Sequence, residues 1–228
     1  MKSKLLVVLM SFLLLAAPSA QALLIFEASS GGSIETISDG SLGDFASGVE
    51  GLISIPLLSL NGWSIFSTGQ SNSHLNTDVN LLDLNSLVIS GGTGSLTLRL
   101  TDTDYNWDGS IAANFTSGIG GTTDGSVTAQ HYLDSSNAEF GEGTPLADSG
   151  VLSGYALNYA NSGMVLPTSS SYSLTTVVTI THNNAGDVTS FKSWIEHESG
   201  VSVPEPTSIA LLGLGLVGLG FARRKKAA

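Results

Sequence analysis

Leu96, Leu98 and Leu100 alternate with Thr97, Arg99 and Thr101, and this two-residue period constrains the fold more than any other feature of the chain. It sends one set of side chains to a buried face and the other toward solvent, the geometry of a half-buried strand. Tyr172, Leu174, Thr176, Val178 and Ile180 alternate in the same way with Ser173, Thr175, Val177, Thr179 and Thr181. Branched Thr and Val on both faces suit a strand and are wasted in a helix. Shorter strand candidates are Leu23 to Glu27, Leu52 to Ile55, Leu87 to Ser90, Val127 to Leu133, Val151 to Leu157 and Phe191 to Glu196. Gly91-Gly92, Gly120-Gly121 and Asn183-Asn184 punctuate them as turns, and Asn184-Ala185-Gly186-Asp187 reads as a hairpin loop. No window of the body shows an apolar stripe of helical period. The expectation is an all-β chain folded as a β-sandwich of jelly-roll type. No internal repeat or domain-scale linker divides the body, and Ser169-Ser170-Ser171 reads as a loop.

The two ends follow different rules. Lys2 and Lys4 precede an apolar run from Leu5 to Leu15, and Ala20-Gln21-Ala22 supplies the small residues that signal peptidase requires. Residues 1–22 therefore read as a signal peptide, with Ala20 and Ala22 at its cleavage site. At the other end Pro204-Glu205-Pro206 precedes an apolar run from Ile209 to Ala222 and the basic cluster Arg223, Arg224, Lys225, Lys226. As a helix that run reaches about 21 Å, against a hydrocarbon core of about 30 Å. Gly213, Gly215, Gly218 and Gly220 weaken it further. Such a transmembrane helix can halt translocation, its basic stop held on the cytoplasmic side, but it is a marginal permanent anchor. Transient residence in the membrane suits it better. The pattern GxGxxG at Gly213, Gly215 and Gly218 lacks the preceding strand and following acidic residue of a dinucleotide site and is an accident of composition.

Motif, apolar helix, basic cluster and terminal position together resemble the PEP-CTERM sorting signal of Gram-negative, biofilm-forming bacteria. The resemblance covers residues 203–228, and Pro204, Glu205 and Pro206 match its motif residue by residue. It implies recognition by an exosortase-type membrane cysteine protease, removal of the tail, and delivery to the cell surface or the exopolysaccharide matrix. The segments from Leu96 to Asp104 and from Tyr172 to His182 are also similar to strands of other PEP-CTERM proteins, which implies only an exported all-β domain over residues 23–202.

Charge narrows the partners. The chain has 8 basic and 19 acidic residues and a net charge of −11. Of the basic residues only Arg99 and Lys192 lie between the two termini, so the body, counted through Glu205, carries about −17. That field repels phosphate backbones and excludes nucleic acid, while it welcomes cations. Cysteine is absent, so an exported chain forgoes disulfides and thiol catalysis. Abundant Ser and Thr offer hydroxyls for O-linked sugars.

Asp102, Asp104, Asn106 and Asp108 place hard oxygen ligands at alternate positions, as calcium prefers. An EF-hand is excluded: Trp107 stands where the turn glycine belongs, and residue 113 is Ala rather than the closing Glu. The two readings that stand are a less formal calcium loop and an acidic turn stabilised by its own side chains.

Enzymatic constellations are weak. His74, His131, His182 and His197 are scattered without metal-ligand spacing, and His131 and His182 read as structural. No GxSxG elbow occurs, and Glu139 with Glu142, or Glu196 with Glu198, read as solvated faces rather than a glycosidase pair. The expected function is non-enzymatic: a matrix or surface protein contributing to biofilm architecture. The alternative is a lectin-like module, calcium-assisted or not, binding exopolysaccharide through Tyr105, Trp107, Tyr132, Tyr155, Tyr159 or Trp194. Trp63 and Trp194 read equally well as core.

Overall fold

The computed structural model describes residues 23–73, 79–107 and 112–198. The signal segment, Asp108 and the whole sorting tail, including Pro204 to Pro206 and Arg223 to Lys226, lie outside them. Among the described residues no helix is long and apolar enough to cross a membrane.

The described chain is all-β. Its strands are β1 (Ile25–Ser30), β2 (Ser33–Ser38), β3 (Leu52–Leu60), β4 (Trp63–Ser71), β5 (Val79–Ser90), β6 (Gly94–Asn106), β7 (Ala113–Thr123), β8 (Ser126–Asp134), β9 (Thr144–Asp148), β10 (Leu152–Ser153), β11 (Ala156–Val165), β12 (Ser171–His182) and β13 (Val188–Glu198). One sheet runs β10-β8-β12-β6-β1-β2, with β9 also paired to β8; the other runs β11-β7-β13-β5-β4-β3. All pairings are antiparallel.

The two faces pack as a sandwich because the period-two residues of both sheets point inward. Leu96, Leu98 and Leu100 of β6 and Leu174, Val178 and Ile180 of β12 are fully buried, as are Ile65 of β4, Leu82 and Leu84 of β5 and Ile195 of β13 on the other sheet. Successive strands tend to change sheets. β12 lies between β6 and β8 in one layer, and β13 lies between β5 and β7 in the other. The β12–β13 arch is thus nested between the β5–β6 and β7–β8 arches.

That nesting corrects three sequence expectations. Asn184 to Asp187 does not close a hairpin: it spans the gap between sheets, roughly 10 Å, because β12 and β13 are each central strands that need partners on both sides. The Asp187 carboxylate organises this crossing by accepting the amides of Asn183 and Asn184; the Asn184 amide first among these bonds holds it below the usual carboxylate range. Val151 to Leu157 is not one strand, since Gly154 (φ 104°) breaks it into β10 on one sheet and β11 on the other. Gly120-Gly121 is not a turn but lies inside β7. A Cβ at Gly121 would stand 2.1 Å from the Ser190 carbonyl oxygen on β13, so glycine is needed for strand approach. Two-residue hairpins form instead at Gly31-Gly32 between β1 and β2 (φ 56° and 84°) and at Asn61-Gly62 between β3 and β4 (φ 46° and 85°), the positive φ values a type I′ turn requires.

Polar groups are also buried between the sheets, and two of the histidines there meet hydroxyls of the opposite layer. His131 Nε2 on β8 lies 2.9 Å from Ser193 Oγ on β13, which lies 3.0 Å from Thr176 on β12. His182 Nε2 lies 2.7 Å from Thr189 Oγ1. Both rings are fully buried. Loss of water favours the neutral imidazole, lowering His131 to about 4 and lowering His182 as well. These histidines cross-link the layers, the structural role the sequence suggests.

Candidate functional site: the outer face of the six-stranded sheet

The acidic sequence at β6 does not assemble a site from its described residues. A bulge shifts the β6–β12 register between the Tyr172–Tyr105 and Leu174–Asp102 pairs, and Asp104 takes φ 62° there. The bulge breaks the alternation that would have aligned the oxygens. Asp102 is buried and accepts hydroxyl hydrogen bonds from Ser71 and Ser73 and the amide of Thr103. Asp104 instead exchanges hydrogen bonds with Asn137, at 2.9 and 2.7 Å, and accepts from Ser171. Asn106 is exposed at the strand end. Asp108 lies outside the described residues, and no group of three metal-binding side chains occurs among the described residues.

The bulge also relocates two aromatics. It turns Tyr105 and Trp107 into the core, where they are 0% and 8% exposed, so neither can stack on a ligand. Tyr105 donates to the Leu81 carbonyl and stacks on Tyr172 at 5.6 Å; burial pushes its hydroxyl well above the ordinary phenol range. Tyr132 is on the opposite sheet, Tyr155 is exposed in the β10–β11 crossing, and Tyr159 lies on edge strand β11. Trp63 is core, 5.0 Å from the His182 ring. Glu142 pairs with Arg99 at 2.6 Å, and Arg99 also stacks on Phe140.

Trp194 behaves differently from Trp63. It sits on the outward row of β13, paired with Gly118 of β7. A Cβ at Gly118 would stand 2.8 Å from the Trp194 ring and 2.4 Å from the Tyr159 carbonyl oxygen, so the indole occupies the space over the glycine. The absent side chain lets the ring lie down on the sheet. Gly118→Ala is therefore expected to lift the ring at a cost of about 1–3 kcal/mol. The checks are the melting temperature and the Trp emission maximum; an unchanged spectrum would show that the glycine does not seat the ring.

Beside Trp194 runs a groove of about 570 Å³ across the same face. Its outward residues come from adjacent strands in register: Ser54 of β3, Thr68 of β4, Asn85 of β5, Lys192 of β13 and Gly120 of β7. Phe66, Leu87 and Pro56 add apolar surface. Asp83 is nearly buried behind this row. It holds Lys192 Nζ at 2.7 Å and accepts from Asn85 Nδ2 at 3.0 Å, fixing two donors along the groove and cancelling the charge of the lysine. No Asp, Glu or His stands among the described lining residues. The result is an electrically neutral, open trough with hydroxyl, amide and ammonium groups beside flat apolar surface.

Comparison with known proteins decides the other end of the chain. Residues 202–226 match the PEP-CTERM protein-sorting motif. The chain carries a PEP-CTERM sorting tail. That tail implies export and processing by exosortase, a membrane protease. No curated protein matches the chain. Among solved structures, the enzymatically active domain of tailspike protein 4 of bacteriophage CBA120 is 15% identical, with a TM-score of 0.30 over 60% of this chain and 19% of that one. TmCBM61, solved with β-1,4-galactotriose, is 7% identical, with a TM-score of 0.28 over 60% of this chain and 88% of that one. The mannan-recognising carbohydrate-binding module TmCBM27 is 10% identical, with a TM-score of 0.29 over 68% and 94%. The chain spans about a fifth of the tailspike domain's length. Likeness at this level says nothing of what this chain binds.

Proposed function

We propose that this PEP-CTERM protein is a non-enzymatic component of the cell surface or extracellular matrix, and that its β-sandwich holds neutral polysaccharide on the outer face of the six-stranded sheet. Signal peptidase removes residues 1–22, the tail pauses in the membrane for exosortase, and the jelly-roll-like body is released to the exopolysaccharide. The observation that carries the binding half is the charge-compensated groove beside a flattened Trp194. Sugar rings offer hydroxyls around their rim and C–H surfaces on their faces, and the trough answers both. Sugar hydrolysis finds no support there, because the described lining supplies no carboxyl acid or base. Anionic glycans are disfavoured by a body of about −17.

Affinity electrophoresis tests this on β-1,4-galactan, β-1,4-mannan, dextran and a soluble cellulose derivative, with polygalacturonate as the anionic control. Expected is retardation by a neutral polymer and not by polygalacturonate, lost about tenfold or more on Trp194→Ala, the scale of removing an aromatic anchor. Retardation should persist in chelator, since the trough presents no carboxylate to calcium. No retardation by any polymer would leave a purely structural matrix protein.

A further inference from the structure

We propose that Phe45, on the β2–β3 loop, is a terminal aromatic subsite of the groove and sets its preference for long chains. The inference rests on the polysaccharide reading above and specifies where that site ends.

The loop from Asp39 to Gly51 is held by its own acidic side chains. Asp44 is 6% exposed, and its carboxylate accepts the amides of Gly40 (3.1 Å), Ala46 (2.8 Å) and Ser54 (2.9 Å). Asp39 accepts the amide of Gly51 at 2.6 Å. Gly40 and Gly43 take φ of 73° and 109°, conformations that let the chain turn tightly around Asp44.

This arrangement lengthens the sheet. The Phe45 amide donates to the Ser54 carbonyl at 2.9 Å, and the Ser54 amide donates back to the Asp44 carboxylate. The carboxylate thus stands in for the backbone carbonyl of a seventh strand, placing Phe45 opposite Ser54 beyond the edge of β3. The row Gly120, Lys192, Asn85, Thr68, Ser54 therefore continues to Phe45. Five strand steps make this row about 24 Å long.

Phe45 is 77% exposed and Leu42, two residues from the Asp44 hub, is fully exposed. Both line a second depression, of about 380 Å³, bounded by Gly40 to Ser47. A rigid loop that spends three amide hydrogen bonds on presenting an aromatic to solvent is organised for contact and contributes little to the core. The occupant is fixed by position: Phe45 lies one strand step from the lining residue Ser54, at the end of a row whose one cation, Lys192, is paired with Asp83, where a polymer lying in the trough would next arrive. A short oligosaccharide seated between Trp194 and Thr68 does not reach it.

The test uses the mature-length protein and the neutral polymer of the panel that retains it. A disaccharide and a hexasaccharide of that polymer are titrated calorimetrically. Expected for Phe45→Ala is unchanged disaccharide affinity and a hexasaccharide affinity reduced about tenfold, the loss of one aromatic contact, with Phe45→Trp restoring it. Phe45→Ala touches no buried group, so its melting temperature should match the parent. Asp44→Asn, which weakens the loop hub, should reproduce the chain-length effect while leaving disaccharide affinity intact. Equal hexasaccharide affinity for parent and Phe45→Ala would overturn this subsite and leave the groove standing. Absence of binding to every polymer would overturn both.

Discussion

Replacing Glu205 with Ala is expected to leave the chain unprocessed in the membrane fraction, with the mature form reduced to trace levels. Residues 202–226 match the sorting motif, and Glu205 is the single charged residue inside its Pro-flanked core. Proline at 204 and 206 removes two amide donors, so the motif offers a protease few backbone hydrogen bonds of its own. Between those prolines a carboxylate is the one group able to make a charge-assisted contact, the type whose loss is costly when its partner stays buried. The apolar run from Ile209 to Ala222 would still halt in the bilayer, because the variant leaves it and Arg223 to Lys226 untouched. Intact-mass measurement separates the outcomes. A variant that retains residues up to Ala228 and fractionates with membranes supports sorting by this motif. A variant released at the same mass as the parent would show that the protease reads the helix and basic cluster alone, and the role given to Glu205 would fall.

The central strands were legible and the site was not, for physical reasons that differ by element. β6 and β12 announce themselves because each pairs on both sides and carries Leu, Val or Ile inward with Thr outward. β4 keeps the same period but spends inward positions on Ser67, Gly69 and Ser71; Ser67 meets Ser86 at 2.7 Å across the β4–β5 pair, so polarity hides the strand. β7 is obscured by Gly118, Gly120 and Gly121, which look like turn residues, although Gly118 makes room for the Trp194 ring and Gly121 for the β13 backbone. β2 and β9 carry too few buried apolar residues to show a face. The alternation of oxygens that the calcium reading assumed is interrupted between Asp102 and Asp104, because one inserted bulge residue separates their directions. Trp194 could not be distinguished from Trp63 by composition. What distinguishes them is the partner strand, and the Trp194–Gly118 pairing joins residues far apart in sequence. The sorting motif was legible because its signal is local: order, length and charge within one short segment.

Lowering the pH from 7 to 4 is expected to remove about 3 kcal/mol of folding stability through His131 alone. Its imidazole is fully buried between the sheets and is lowered to about 4, from an ordinary 6.5, by desolvation. Between these two values the unfolded chain binds a proton that the folded chain refuses. Unfolding then takes up protons, so stability falls as pH drops through 6.5 and levels off below about 4. A difference of about 2.5 pH units at roughly 1.36 kcal/mol per unit sets the magnitude. The groups facing His131 are the hydroxyls of Ser193 and, through it, Thr176, neither of which titrates in this range. His182, also lowered by burial but opposed by Asp187 and Asp124, adds to the loss in the same direction. Asp187 titrates in a lower window, because its folded value lies below 3.8 and its contribution disappears only as pH falls through that region. Denaturant melts at successive pH values measure the slope, and His131→Gln, which keeps a polar group toward Ser193 without a titrating one, should flatten it between pH 6.5 and 4. Parallel curves for parent and variant would mean that the acid sensitivity resides elsewhere. A flattened curve would show that an exported domain without disulfides holds its two sheets together through neutral histidine, and that acidification loosens this contact before the carboxylates are protonated.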